Sequence, residues 1–193
     1  MPNICHNRLD VIGPADEADR FVDAISDNDY ESIDFTLLRP EPSDVGENWY
    51  NWRSENWGTK WINDVEWDAN IEDDGVCTLS YTYDSAWAPL NPSFWAEVSR
   101  QFPNLMFISS YRELGMDFVG AMAVTNGGTF VHDHSFEIGE MPDSPRYPDG
   151  GFDDMDAEAD WHDRYWTYAM DLQDTMHNGA VYQARSSRTG VES

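Results

Sequence analysis

Two stretches of this chain place a strand signal directly before a helix signal, and that repeated order limits the architectures open to it. Residues 3–12 alternate so that Cys5, Leu9 and Val11 share one face. Gly13 and Pro14 close this strand. Over residues 15–26, Ala18, Phe21, Val22 and Ile25 then form one helical stripe, with Asp16 and Glu17 in the first turn, where the helix dipole favours acids. Further on, Cys77, Leu79, Tyr81 and Tyr83 alternate with Thr78, Ser80 and Thr82, the clearest strand pattern in the sequence. Asn91 and Pro92 supply an N-cap and a first-turn proline to a second helix, whose buried stripe is Phe94, Trp95, Val98 and Phe102 and whose stop is Pro103.

Residues 33–38 read as a short second strand, closed by Pro40 and Pro42. Residues 105–112, 117–125 and 129–138 read as three successive strands, the last two joined by Asn126-Gly127-Gly128, a strong hairpin signal. The order is therefore β-α-β, a long insertion, β-α-β and an added hairpin. That order specifies an α+β fold with a ferredoxin-like antiparallel sheet and two helices on one face. Within it, a tryptophan-rich insertion at about 47–67 is expected to pack over the open face of the sheet. Prolines, paired glycines and acids make residues 139–159 a loop.

A third helix is expected over residues 160–177. Its Trp161, Tyr165, Tyr168, Leu172 and Met176 fall within an arc of about 80°, and Asp160, Asp163, Asp171 and Asp174 within a different one. One face docks and another is a row of carboxylates. The organisation expected is a domain over residues 1–138, an acidic loop and C-terminal helix packed on it over 139–178, and a flexible tail over 179–193.

The chain carries 37 Asp and Glu against 11 Lys and Arg, a formal charge of -26, and a single lysine, Lys60. Such a charge opposes direct binding to DNA, RNA or an anionic membrane and selects for a basic partner. Two readings of the skew stay open: adaptation to high salt, and a surface shaped to be read as a polyanion. The two cysteines are too few for a disulfide scaffold, the opening MPNICHNRLD lacks a secretory pattern, and no apolar run approaches the ~20 residues of a membrane span. A soluble cytoplasmic protein is expected, acting inside a host cell.

The chemical motifs are weak. Trp49, Trp52, Trp57 and Trp61, with Arg53 and Lys60 between them, read first as anchors of the insertion and second as a stacking platform for a small ligand or nucleotide. His132 and His134 point to one strand face and would start a metal shell or a metal-dependent enzyme site, but no third ligand has a visible motif, and no metal or other cofactor is expected. Asp154, Asp156, Glu158 and Asp160 alternate like a calcium loop, yet the sixth and twelfth positions from Asp154 hold Ala159 and Tyr165, so the EF-hand pattern fails. No GxSxG, Walker, Rossmann or HExxH pattern is present, and Cys5 and Cys77 sit on apolar strand faces. The chain is read as a non-enzyme.

Three stretches carry a resemblance: MPNICHNRLDVIGP, WYNWRSENWGTKW at 49–61, and AWAPLNPSFWAEVSRQFPNLMFISSYRELGMDFVGAMAVTNGG at 86–128. Over roughly residues 1–138 they resemble the YubB-type ferredoxin-like family of bacteriophage, prophage and conjugative-plasmid proteins. The resemblance implies a ferredoxin-like fold and a mobile-element origin, and no established enzymatic activity. The density of aspartate after about residue 139 departs from the family pattern.

Two base-free acidic blocks are the best functional lead. The first holds Asp64, Glu66, Asp68, Glu72, Asp73 and Asp74; the second holds Asp149, Asp153, Asp154, Asp156, Glu158, Asp160 and Asp163, continued by Asp171 and Asp174. Carboxylates two apart on a strand repeat at roughly 6 to 7 Å, and helix neighbours lie about 5 to 6 Å apart. Both spacings suit side chains built to grip a phosphate backbone. With the mobile-element resemblance, the expectation is an inhibitor of a basic nucleic-acid-binding host defence protein, an anti-CRISPR or anti-restriction protein working by nucleic-acid mimicry.

Overall fold

The computed structural model describes residues 3–26, 32–72, 75–125, 127–149 and 151–189. Its strands are β1 (Ile4–Pro14), β2 (Ile62–Ile71), β3 (Val76–Ala86), β4 (Met106–Glu113), β5 (Phe118–Thr125) and β6 (Thr129–Glu137). Its α-helices are α1 (Ala15–Ile25), α2 (Trp49–Asn56), α3 (Pro92–Gln101) and α4 (Met155–Thr189). The strands form one antiparallel sheet in the order β2-β3-β1-β4-β5-β6. The first four in that order, with α1 and α3 as crossovers, make the ferredoxin-like unit, and the β5–β6 hairpin extends it beyond β4.

Period-two alternation sorts the sheet into two cores. In β1, Cys5, Leu9 and Val11 join the core under α1 and α3, while Ile12 joins a second core under α4. Phe21 of α1 meets Tyr81, Phe102 and Phe107 edge-on at ring separations of 6.3, 5.4 and 5.5 Å. Full burial of such a side chain contributes roughly 1.5–3 kcal/mol. α3 starts as its sequence dictates: Asn91 Oδ1 accepts from the Phe94 N–H at 2.8 Å, with Pro92 in the first turn.

The second strand is not where residues 33–38 suggested. Ile33 makes an isolated bridge to Ser26, and Phe35–Leu38 is a 3-10 turn. Asp34 drives that turn, its Oδ1 accepting from Thr36 N at 2.9 Å and from Thr36 Oγ1 at 2.6 Å. Phe35 is thereby plugged into the core, 5.2 Å from both the Tyr81 and Tyr83 rings. The strand that completes the unit is β2, from the acidic stretch beyond the tryptophan block, and it forms one edge of the sheet.

The tryptophan block also lies elsewhere than expected. α4 covers much of the face opposite α1 and α3, and the block packs on the α1–α3 side, where Trp57 is buried and Trp52 lies against the same core. The Trp57 indole N–H donates to the Arg39 carbonyl at 2.8 Å, and its own carbonyl accepts from Asn91 N at 2.8 Å. Gly58, at φ +87°, approaches Asn91 so closely that a Cβ there would sit 2.9 Å from its backbone nitrogen.

α4 is longer at both ends than residues 160–177. Asp154 Oδ1 accepts from Ala157 N at 2.8 Å and caps its start, and the helix continues through Gly179 to Thr189, where a flexible tail was expected. At 1.5 Å per residue it is about 52 Å long. Tyr165, Ala169, Met176, Ala180 and Ala184 form its buried face.

Candidate partner-binding surface

α4 crosses the sheet obliquely, so the β2–β3–β1 corner of that face stays uncovered. Arg185 near the end of α4 lies 3.8 Å from Glu72 beyond β2, whereas Trp161 and Tyr165 near its start pack in the core shared with β5. Between them, Met170, Gln173 and Asp174 form one wall of a groove of about 700 Å³, and Asp64, Glu66 and Asp68 of β2 form the other. Register sets that second wall: Glu66 pairs with Thr82 and Asp68 with Ser80, so both carboxylates share the face of those two hydroxyl side chains.

The basic side chains at the α4 side of the groove are already engaged. Arg8 lies 3.5 Å from both Asp10 and Asp174. Arg112 donates to Gln173 Oε1 and stacks on Trp166 at 5.1 Å, and His6 Nδ1 lies 2.8 Å from Asp84 Oδ1. Burial pushes the Arg112 guanidinium below its ordinary value, against Asp174 and Asp84, which pull it up. Glu66 and Asp68 have no cationic partner among the described residues. The groove is lined by five carboxylates and two arginines, so it is acidic on balance.

Beneath its floor, α4 is locked to the sheet by a buried polar chain. His177 Nε2 lies 2.9 Å from Asp10 Oδ2 and Nδ1 lies 3.0 Å from Ser110 Oγ. The three residue types are those of a hydrolytic triad, but here His177 and Ser110 are both 0% exposed and sealed between α4 and the sheet. The chain is a clamp. The candidate residues read from the sequence did not include His177, Asp10, Asp84 or Arg112. The available signal was β1 itself, whose second face reads His6, Arg8, Asp10 and Ile12, a charged row that a further helix has to cover or leave open.

The acidic candidates separate into two groups. Asp64, Glu66, Asp68 and Asp174 meet at the groove, although Asp174 lies more than a hundred positions along the chain from the other three. Asp153 and Asp154 are exposed just ahead of α4, and Asp156, Glu158, Asp160, Asp163 and Asp171 are exposed along it. Asp156, Asp160, Asp163 and Asp171 make one ridge on the side of α4 away from the sheet, and Asp174 extends it to the rim of the groove, beside Arg8. Arg164 lies 3.1 Å from Asp160, and His162 lies 3.9 Å from Glu158. Asp73 and Asp74 lie outside the described residues.

The other motifs resolve into local structure. His132 and His134 touch edge to face at 4.6 Å, and burial and His134 together hold His132 below its ordinary value. Among the described residues, no three His, Cys, Asp or Glu side chains are grouped to hold a metal. Arg53 lies 5.1 and 4.9 Å from the Trp49 and Trp57 rings, and Lys60 lies 5.8 and 5.9 Å from those of Trp49 and Trp87. The block's faces are thus shared with the chain's own cations. Burial pushes the Cys5 thiol up to about 12, so it stays protonated near neutrality. No described helix is long and apolar enough to cross a membrane.

No family model and no curated protein matches this chain. Among solved structures, it is similar to the crystal structure of api92 from Yersinia pseudotuberculosis, a DUF1281 protein. The TM-score is 0.54 at 10% identity, over 73% of this chain and 100% of that one. The likeness is one of fold.

Proposed function

We propose that this protein is a non-enzymatic, mobile-element-encoded interaction protein. It binds a basic, nucleic-acid-handling host defence protein, such as a CRISPR effector or restriction complex, and occupies the site of the DNA or RNA. The observation that carries this reading is the meeting of Asp174, at the end of the acidic ridge of α4, with Asp64, Glu66 and Asp68 of the sequence-distant β2 at one groove.

The ridge suits the task on physical grounds. From Asp156 to Asp174 the helix rises about 27 Å, and five carboxylates project from that length on a rigid scaffold, on the order of one per 5 Å. One strand of a duplex presents a phosphate about every 3.4 Å. Fixed acids at that density steer a cationic cleft toward the protein from beyond contact range, and a charge of -26 lengthens the reach.

The experiment is a competition. Basic proteins retained by the immobilised chain at about 0.1 M salt are identified, and their nucleic-acid binding is titrated against this protein. Mutual exclusion is expected, with Asp163→Asn, Asp171→Asn and Asp174→Asn together slowing association more than they speed dissociation. A ternary complex with nucleic acid still bound overturns mimicry.

A further inference from the structure

We propose that β2 is a docking edge for an extended segment of the basic partner, which adds a seventh strand to the sheet and lays alternate Lys or Arg side chains along the acidic wall of the groove. The proposal rests on the reading above, that the partner is cationic, and adds how it is held.

β2 stands at the end of the strand order, with β3 on one side, so the backbone donors and acceptors of its other side have no partner strand among the described residues. It is ten residues long, and most of its residues are exposed. Such an edge templates pairing with another chain unless something blocks it. Two features here set which chain is admitted. Glu66 and Asp68 share one face two positions apart, so a second copy pairing edge to edge would bring carboxylates against carboxylates, a destabilising arrangement. A strand with cations at positions i and i+2 repeats at the same roughly 6 to 7 Å and sets each cation opposite an acid, at a Cβ separation of about 5 Å.

The intervening residue of the partner is specified too. Trp67 lies between those acids on the other face, stacked on Tyr81 at 6.1 Å and 18°, and is still 41% exposed. It offers a flat apolar neighbour to whatever side chain lies across from it. The recognised segment therefore reads basic, apolar or β-branched, basic. The bulge between Asn63 and Glu66, with Asp64 at φ +52°, ends regular pairing at one end of the edge and fixes the register of what docks beyond it.

The test uses the full chain and synthetic peptides of about seven residues. One alternates Lys and Arg with Val; a second has the same composition with the basic residues contiguous; two more are the alternating peptide N-methylated at every other amide, in either register. Binding by the alternating peptide is expected to be about tenfold tighter than by the contiguous one. N-methylation in one register abolishes it, and Glu66→Gln with Asp68→Asn weakens it about tenfold while melting stays unchanged. Amide exchange should slow along Ile62–Ile71 when the peptide is bound. Equal binding of both compositions, indifference to N-methylation, indifference to the double substitution, or protection at β6 instead of β2 each overturns strand addition. None of those results touches the competition with nucleic acid, and a ternary complex there leaves the peptide result standing.

Discussion

Asp10 on β1 and His177 on α4 meet at 2.9 Å across the interface that holds the long helix to the sheet. Burial alone would raise the Asp10 carboxyl. The hydrogen bond and charge of His177, aided by Arg8, outweigh burial and hold it below its ordinary value. A carboxyl whose folded value is depressed contributes stability that is complete above its unfolded value of about 3.9 and is lost as the pH falls through the lower folded one. Asp10→Ala is expected to cost about 3 kcal/mol at neutral pH, because it leaves His177 buried beside a lost partner. The gap between its denaturation midpoint and that of the parent should close below about pH 4. A gap that persists unchanged down to pH 2 would show that the carboxylate charge contributes nothing.

Trp57 should dominate its block energetically. It is 4% exposed and hydrogen-bonded through its indole, whereas Trp49, Trp52 and Trp61 are half-buried. Trp57→Ala is expected to destabilise by about 3–5 kcal/mol, and Trp49→Ala by about 1–2 kcal/mol through its contacts with Arg53 and Lys60. Urea denaturation of the two variants checks the order. Equal costs would mean that the block acts as one unit.

The hydrophobic pattern announces those elements whose burial is one-sided, and it is silent where burial is slight. β1, α1, β3, α3 and the three strands from Met106 onward were legible because Leu9, Phe21, Tyr81, Trp95 and Phe107 recur at strand or helix period. β2 was not, since its sequence INDVEWDANI turns acids to the groove and rests Ile62, Val65 and one face of a half-exposed Trp67 against the core. Residues 33–38 imitated a strand with an apolar run that Asp34 in fact caps into a turn. The acids of α4 were legible as a stripe because helical geometry alone places them. The meeting of Asp174 with Glu66 and Asp68 was not, because it depends on the angle at which α4 crosses the sheet, and that angle is set by tertiary contacts such as His177 with Asp10 and Ser110.

Salt should stabilise this protein. With 26 excess negative charges and exposed acids crowding both the α4 ridge and the β2 wall, folding compresses like charge that the unfolded chain spreads out. Screening acts over a Debye length of about 10 Å at 0.1 M and about 3 Å at 1 M, so repulsion between neighbouring acids on α4, roughly 5–6 Å apart, is damped progressively across that range. The melting midpoint is expected to climb steeply up to a few tenths molar sodium chloride and then to flatten. The buried Asp10–His177 contact is shielded from solvent ions and should contribute none of the change. Substituting Asp163 and Asp171 by Asn should raise the low-salt midpoint and shrink its salt dependence, since both lie beyond the first turn of α4 without a cationic partner among the described residues, and Asn keeps the shape while removing two charges from one ridge. Calorimetry between about 0.02 and 1 M salt decides the matter. A flat response would show that the acids are spaced widely enough to ignore one another, and a requirement for molar salt to fold at all would identify the surface as an adaptation to brine.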